Sequence, residues 1–227
     1  LKSNTTKKNQ ASNSFWWLAI AWALLVPAIV YCYNHVDRPL ALWLDAQQSR
    51  HWPLLGWPHQ FVDVLVYSLP LIFIGCGIVW WRQNRSHWLA VVFDASLSLA
   101  VVLALKAPLK ALFGRTWPDT FYHNNPSYLD HGVYGFLPLH WQVAYWAFPS
   151  GHTAQIVAIG TAAIFHKPKL GWLFVPLSLF VMADLVALNF HWLSDVLGGV
   201  LFGASIALVV TRLATITQLD QWRARRS

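Results

Sequence analysis

Two histidines, an aspartate, two lysines and an arginine in this chain have the types and spacing to move a phosphoryl group. His191 precedes Asp195 by four residues at the mouth of an apolar run. On a helical face that spacing brings two side chains together. The Asp195 carboxylate can then accept the Nδ1–H of His191 and leave Nε2 as an outward lone pair, the arrangement of a nucleophile and its orienter. The pair also fits an interfacial histidine satisfied by a nearby carboxylate. About forty residues earlier stands Pro149-Ser150-Gly151-His152. Ser150 suits a helix N-cap and Gly151 lets another group approach the backbone. The free N–H groups of a helix start form an anion site. His152 on that first turn can protonate a departing oxygen and later activate water. The plainer reading is an ordinary serine-capped helix.

Three cations come earlier in the chain. Lys106 and Lys110 are four apart at the end of another apolar run; Gly114 breaks the helix, Arg115 follows and Pro118 stops the segment. Such a group can hold a phosphate, the arginine through two parallel hydrogen bonds. Equally, these side chains can snorkel to lipid headgroups.

The elements that must position these residues follow from composition. The chain has 227 residues, of which 56% are hydrophobic and 11% charged, against about 25% charged in soluble domains. Apolar runs recur that are long enough to cross about 30 Å of hydrocarbon. We read six spans, at about residues 15–33, 61–81, 88–105, 151–165, 170–190 and 193–214, in a single membrane domain over residues 1–227. Residues 1–14 and 215–227 are expected as cytoplasmic tails, the second of them basic. The first run follows three lysines like a signal peptide, but Tyr31-Cys32-Tyr33-Asn34 offers no small-residue cleavage site, so we expect an uncleaved anchor. Residues 34–60 are expected to hold a short interfacial helix around Leu40, Leu42, Trp43 and Leu44. Residues 116–147 form a long loop of the kind that often acts as a lid. The net charge of +7 does not imply nucleic acid, because the basic residues sit at the ends of apolar runs rather than on one patch. Cys32 and Cys76 both fall in apolar runs and read as buried structural thiols.

Basic residues also orient the chain. With a cytoplasmic N-terminus, Arg38, Arg50, Lys106, Lys110 and Arg115 lie outside, and the other eleven of the 16 lysines and arginines lie inside. The three candidate segments then meet at one outer face.

Taken together, Lys110 with Gly114-Arg115-Thr116-Trp117-Pro118, then Pro149-Ser150-Gly151-His152, then His191-Trp192-Leu193-Ser194-Asp195 resemble the type-2 phosphatidic acid phosphatase superfamily, which also includes vanadium haloperoxidases. The family pattern is Lys, six residues, Arg-Pro; then Pro-Ser-Gly-His; then Ser-Arg, five residues, His, three residues, Asp. The resemblance covers about residues 60–214. It implies a six-helix membrane core, in line with the reading of an all-α integral membrane protein. With the basic-residue count, the expectation is a six-transmembrane-helix bundle in the inner (plasma) membrane with both termini cytoplasmic and the active site at the outer (periplasmic) face. It also implies a metal-independent phosphatase with no cofactor, acting on a phosphomonoester or pyrophosphate of a membrane lipid. His191 would form a phosphohistidine, Asp195 would orient it, and His152 would protonate the leaving oxygen. Lys110, Arg115, Ser150 and the Gly151 backbone would hold the phosphate.

Two departures stand out: Trp117 occupies the place of the first family arginine, and Asp184-Leu185 the place of Ser-Arg. Arg115 and Lys106 are the available substitutes. A buried Asp184 is costly unless paired or protonated; it can pair with Arg115 or Lys110, and a structural hydrogen bond is the expectation for it and for Asp94. The alternatives left open are a lipid phosphotransferase on the same site, a non-catalytic lipid-phosphate binder or transporter, and an intramembrane serine protease using Ser150.

Overall fold

A computed structural model of the chain describes residues 2–82, 87–121 and 124–224. Arg85, Arg225 and Arg226, which enter the orientation count, lie outside these residues, as do the side chains of Lys2, Lys7, Lys8 and Arg223. The described residues form helices and no strand. In chain order these are α1 (Lys2–Tyr31), α2 (Asp37–Ala46), α3 (Trp57–Trp81), α4 (His87–Phe113), the short α5 (Tyr128–His131), α6 (Gly151–His166), α7 (Gly171–Ala187) and α8 (Leu193–Ala224).

Among the described residues, five helical stretches are long and apolar enough to cross a bilayer: Leu18–Ala46, Trp57–Trp81, Trp88–Phe113, Pro168–Ala187 and Leu193–Thr215. They fit a multi-pass membrane protein. The sixth expected span is α6, which has 16 residues. At about 1.5 Å per residue it falls short of the hydrocarbon thickness. Its sequence explains this. α6 is the central helix, with Thr153, Ala154, Gln155, Ile156, Ala158, Ala162 and Ala163 all buried. A helix enclosed by others meets no lipid there and can be short and rich in small residues.

That small-residue face sets how closely the helices pack. Val102 of α4, Ala154, Ala158 and Ala162 of α6 and Ala207 of α8 form one buried cluster. A Cβ on Gly203 would run into the carbonyl oxygen of Ala154, so only glycine lets α8 lie this close to α6. On the other side of α6, Val62, Ile156, Val181, Leu185 and Val196 form a second cluster joining α3, α6, α7 and α8.

Two expected boundaries moved. No loop follows residue 33: a π-turn at Cys32–Val36 carries α1 directly into α2. The helix expected around Leu40–Leu44 is present as this continuation, burying Ala41 and Leu44 while Leu42 and Trp43 face out. α4 runs to Phe113 rather than stopping near residue 105, because its apolar pattern continues through Ala107, Leu109, Ala111 and Leu112. That extension carries Lys106 and Lys110 on its last turns. Cys32 and Cys76 are both free and buried.

Candidate active site

α4 ends where Gly114 takes φ +57°, a left-handed conformation that suits glycine. The chain then turns back across the end of the bundle in residues 114–121 and 124–150. This loop is tied down by its own backbone: Leu137 N–H donates to Gly114 O (2.5 Å), Thr116 N–H to Gly135 O (3.2 Å) and Ala147 N–H to Arg115 O (3.1 Å). Its indoles do the same. Trp117 Nε1 donates to Val143 O (3.1 Å) and Trp146 Nε1 to His140 O (3.0 Å). Trp192 Nε1, from the start of α8, donates to Thr116 O (2.8 Å). Ala41, Trp117, Ala147 and Trp192 form an apolar cap that joins this loop to α2 and α8.

His191 lies under that cap with 5% of its surface exposed. It is not on the helix. It precedes the start of α8, and its Nδ1 faces Asp195 Oδ2 at 3.3 Å. The same oxygen accepts the Trp192 N–H (3.0 Å), while the Asp195 N–H donates back to Trp192 O (3.0 Å). This is a reciprocal helix-start cap, and it holds the carboxylate that the histidine uses. With Nδ1 directed at a carboxylate, Nε2 is the free nitrogen.

Arg115 accounts for the other side of Asp195. Its Nη1 donates to Asp195 Oδ1 (2.5 Å) and Ser194 Oγ (2.6 Å). Its Nη2 donates to Asp37 Oδ2 (2.7 Å) and the Tyr134 hydroxyl (3.2 Å). Asp37, near the α1–α2 junction, also accepts the Ser194 N–H (3.1 Å) and the Ser194 hydroxyl. Arg115 is 0% exposed, and Tyr33, Tyr134, Phe136 and Trp192 surround its guanidinium at 4.9–5.5 Å. Burial opposes its charge, but Asp195 and Asp37 outweigh burial and hold it above arginine's ordinary range. Sequence reasoning expected Arg115 to grip the phosphate. In the structure both of its terminal nitrogens are committed to carboxylates, Nη1 to Asp195 and Nη2 to Asp37.

The remaining residues come from α3, α4 and α6. Lys110 is buried, its Nζ donates to Trp146 O (2.5 Å), and it stands 5.4 Å from the Trp117 ring. A Cβ on Gly151 would lie 3.7 Å from Lys110 Cε and 3.8 Å from Lys106 Cδ, so both lysine stems pass the first turn of α6. Ser150 occupies the N-cap position but makes no side-chain cap bond. Its hydroxyl instead accepts from Thr153 Oγ1 (3.1 Å), and its backbone N–H donates to Asp195 O (3.0 Å), fastening α6 to α8. His152 Nε2 lies 3.0 Å from Asp63 Oδ1. Trp117 covers His191, their rings 5.1 Å apart. Leu185 points into the apolar cluster and is 1% exposed. Asp184 pairs with neither Arg115 nor Lys110: it accepts from Gly56 N–H (2.6 Å), His59 N–H (3.3 Å) and His59 Nδ1 (2.7 Å). Asp94, at the far end of the bundle, pairs with His166 Nε2 (2.8 Å). The three motif segments therefore converge at one end of the bundle. Sequence reasoning did not single out Asp37, His59 or Asp63, although each is a polar residue at the head of an apolar stretch, where such groups need partners.

Burial pushes the His191 imidazole down to about 4; the Asp195 hydrogen bond opposes that fall and Lys110 adds to it. His191 is therefore neutral near pH 7, as a nucleophile must be. In the unfolded chain an imidazole titrates near 6.5. Between about pH 6.5 and pH 4 the unfolded state binds a proton that the folded state refuses, so the contribution of His191 to stability is full above pH 6.5 and declines as pH falls toward 4. Thermal unfolding in detergent across this window should show a steeper loss for wild type than for His191→Asn, which has no imidazole to titrate. Parallel curves would contradict the burial.

Comparison with known proteins gives the family. The model of the PAP2 superfamily matches residues 91–217, more than half of the chain. The chain belongs to the PAP2 superfamily. The match leaves α1, α2 and α3, and with them Asp37, His59 and Asp63, outside it. Among curated proteins, the chain is 31% identical over 152 residues to a Lipid A 1-phosphatase of Rhizobium johnstonii, covering 64% of this chain and 59% of that protein. It is 30% identical over 101 residues to a Lipid A 1-phosphatase of Rhizobium etli, covering 44% of this chain and 40% of that protein. The chain thus spans less than two thirds of the length of either relative. No solved structure matches it.

Proposed function

We propose that this chain is a membrane lipid-phosphate phosphatase that works through a phosphohistidine on His191. The observation that carries the reading is a neutral, buried imidazole with Nδ1 on a carboxylate that a second charge, Arg115, holds from behind. Nε2 attacks phosphorus, the P–O bond to the lipid breaks, and His152 gives its proton to the departing oxygen. His152 then takes a proton from water, which attacks phosphorus; the P–N bond breaks and phosphate leaves. Burial holds the His152 imidazole below its ordinary range, and Asp63, 3.0 Å away, opposes that fall and so favours the charged form the acid needs. Lys110, the Gly151 backbone N–H and Ser150 hold the phosphate oxygens, and Lys106 adds charge beside them. Arg115 acts through Asp195. The chemistry asks for no metal.

The names of the two relatives favour a phosphate on lipid A over other lipid phosphates, and the basic-residue bias supports a site at the outer leaflet. One observation favours a second reading, a binder without turnover. With Trp117 over the nucleophile and Leu185 in the core, neither family arginine has a direct replacement. Phosphate release from a panel of lipid A, phosphatidic acid and polyprenyl pyrophosphate, in detergent with EDTA present, separates the readings. Release that persists in EDTA is expected. Binding of the lipids without release of phosphate would favour the binder, and release only with an added acceptor would favour a phosphotransferase. Loss of release in EDTA would overturn the metal-free route.

A further inference from the structure

α3 carries His59 and Asp63, four residues apart and therefore on one helical face. Asp63 faces His152. His59 faces the same histidine: the two rings meet edge to face at 5.7 Å. On its other side the His59 ring packs at 5.5 Å against Phe190, the residue before the nucleophile. His59 thus stands between the proposed acid and the strand of chain that carries His191. Its side chain is 14% exposed, so it is neither sealed in the core nor loose in solvent.

What orients His59 is Asp184. That carboxylate is fully buried and accepts from two backbone N–H groups at the start of α3 and from His59 Nδ1. An acid with three donors around it is an acceptor only, so Nδ1 carries the proton and Nε2 is the nitrogen left over. The arrangement repeats the His191–Asp195 pair with residues from different helices. It is built on one of the two departures from the family pattern, because Asp184 takes the place of the serine that precedes the second arginine. The neighbouring position, Leu185, is packed against Val62, Ile156, Val181 and Val196 and offers nothing to an anion.

We propose that His59, held by Asp184, is a phosphate-contacting residue that replaces part of the charge lost with the family arginines. Between a carboxylate and a bound phosphate the ring carries a proton on each nitrogen, and Nε2–H donates to a phosphate oxygen. This rests on the reading of the site as a phosphate site, and it assigns α3 a role in substrate binding that the 91–217 match does not include.

Two isosteres separate contact from mere packing. His59→Asn keeps a donor at the Nδ1 position for Asp184 and removes the far nitrogen. His59→Gln keeps a donor near the Nε2 position and gives up the Asp184 bond. Inorganic phosphate is the probe, titrated as a product inhibitor of lipid-phosphate hydrolysis and, independently of turnover, by its thermal stabilisation of the detergent-solubilised protein. His59→Asn should weaken phosphate roughly tenfold in both assays and raise KM more than it lowers kcat, as loss of one charge-assisted hydrogen bond does. His59→Gln should recover part of the affinity. Unchanged phosphate affinity in His59→Asn would overturn the proposal, and so would a fall in kcat alone, which would make His59 a support for His152. Wild type that binds phosphate but hydrolyses nothing would refute the phosphatase reading while leaving the His59 contact testable by stabilisation.

Discussion

Replacing His191 with alanine is expected to abolish phosphate release, by roughly 10⁴-fold or more, the scale seen when an enzyme loses a covalent nucleophile. The structure separates this loss from a loss of fold. The bond His191 makes to α7 is a backbone one, N–H to Leu185 O (3.1 Å), which alanine keeps, and its ring touches Asp195 and Trp117. Removing the ring leaves the Asp195 carboxylate still satisfied by Arg115 and by the Trp192 N–H. The variant should therefore purify as the wild type does. A brief reaction with labelled lipid phosphate, quenched in alkali, should trap label on the wild-type chain. That label should be released by acid, as a nitrogen–phosphorus bond requires, and should be absent from His191→Ala. Turnover that survives in His191→Ala would end the phosphohistidine mechanism. A wild-type label stable to acid would point to another nucleophile.

Five of the six expected spans and the three motif segments were legible in the sequence because both are local. A run of apolar residues, or a histidine at a fixed distance from a glycine, carries its meaning in adjacent positions. α6 shows where that ends. Its length and its alanines and glycines describe a helix enclosed by others, and enclosure is a property of the whole bundle. Arg115 shows the same limit more sharply. Beside Gly114 and Lys110 it reads as a phosphate ligand, and its actual partners are Asp37 and Asp195, 78 and 80 residues away. No spacing rule links them. The signal that existed was energetic: Asp37 sits at the end of an apolar run, where a carboxylate needs a cation. Asp184 was recognised as needing a partner on the same grounds, but the histidine that answers it lies 125 residues back, at the head of α3. The loss of the two family arginines was legible in the sequence, at Trp117 and Leu185; that one position places an indole over the nucleophile and the other a leucine in the core is a matter of packing.

Arg115 accordingly carries the second large expected effect, and its size depends on which of two roles it has. A guanidinium that only gripped phosphate would be dispensable to the fold. Arg115→Lys would then raise KM, leave kcat nearly unchanged and leave thermal stability alone. The structure leads to the opposite expectation. Arg115 is the cation between two carboxylates that are each 0–1% exposed. Breaking such a pair from one side leaves buried charge without compensation and costs about 3–5 kcal/mol. Lysine has neither the planar fork nor the reach to serve both acids. Arg115→Lys should therefore lower thermal stability and kcat together, because Asp195 loses the support that fixes it against His191. Asp37→Asn is the milder probe: it keeps the shape, keeps the Arg115–Asp195 bond and removes one negative charge from the far end of the chain of contacts. Its activity should fall about tenfold or more with the protein still folded. Combining Asp37→Asn with Arg115→Gln should cost less than the sum of the two single changes, since the uncompensated charge that makes each costly is partly removed by the other. Additive losses, or a rise in KM alone, would return Arg115 to the phosphate.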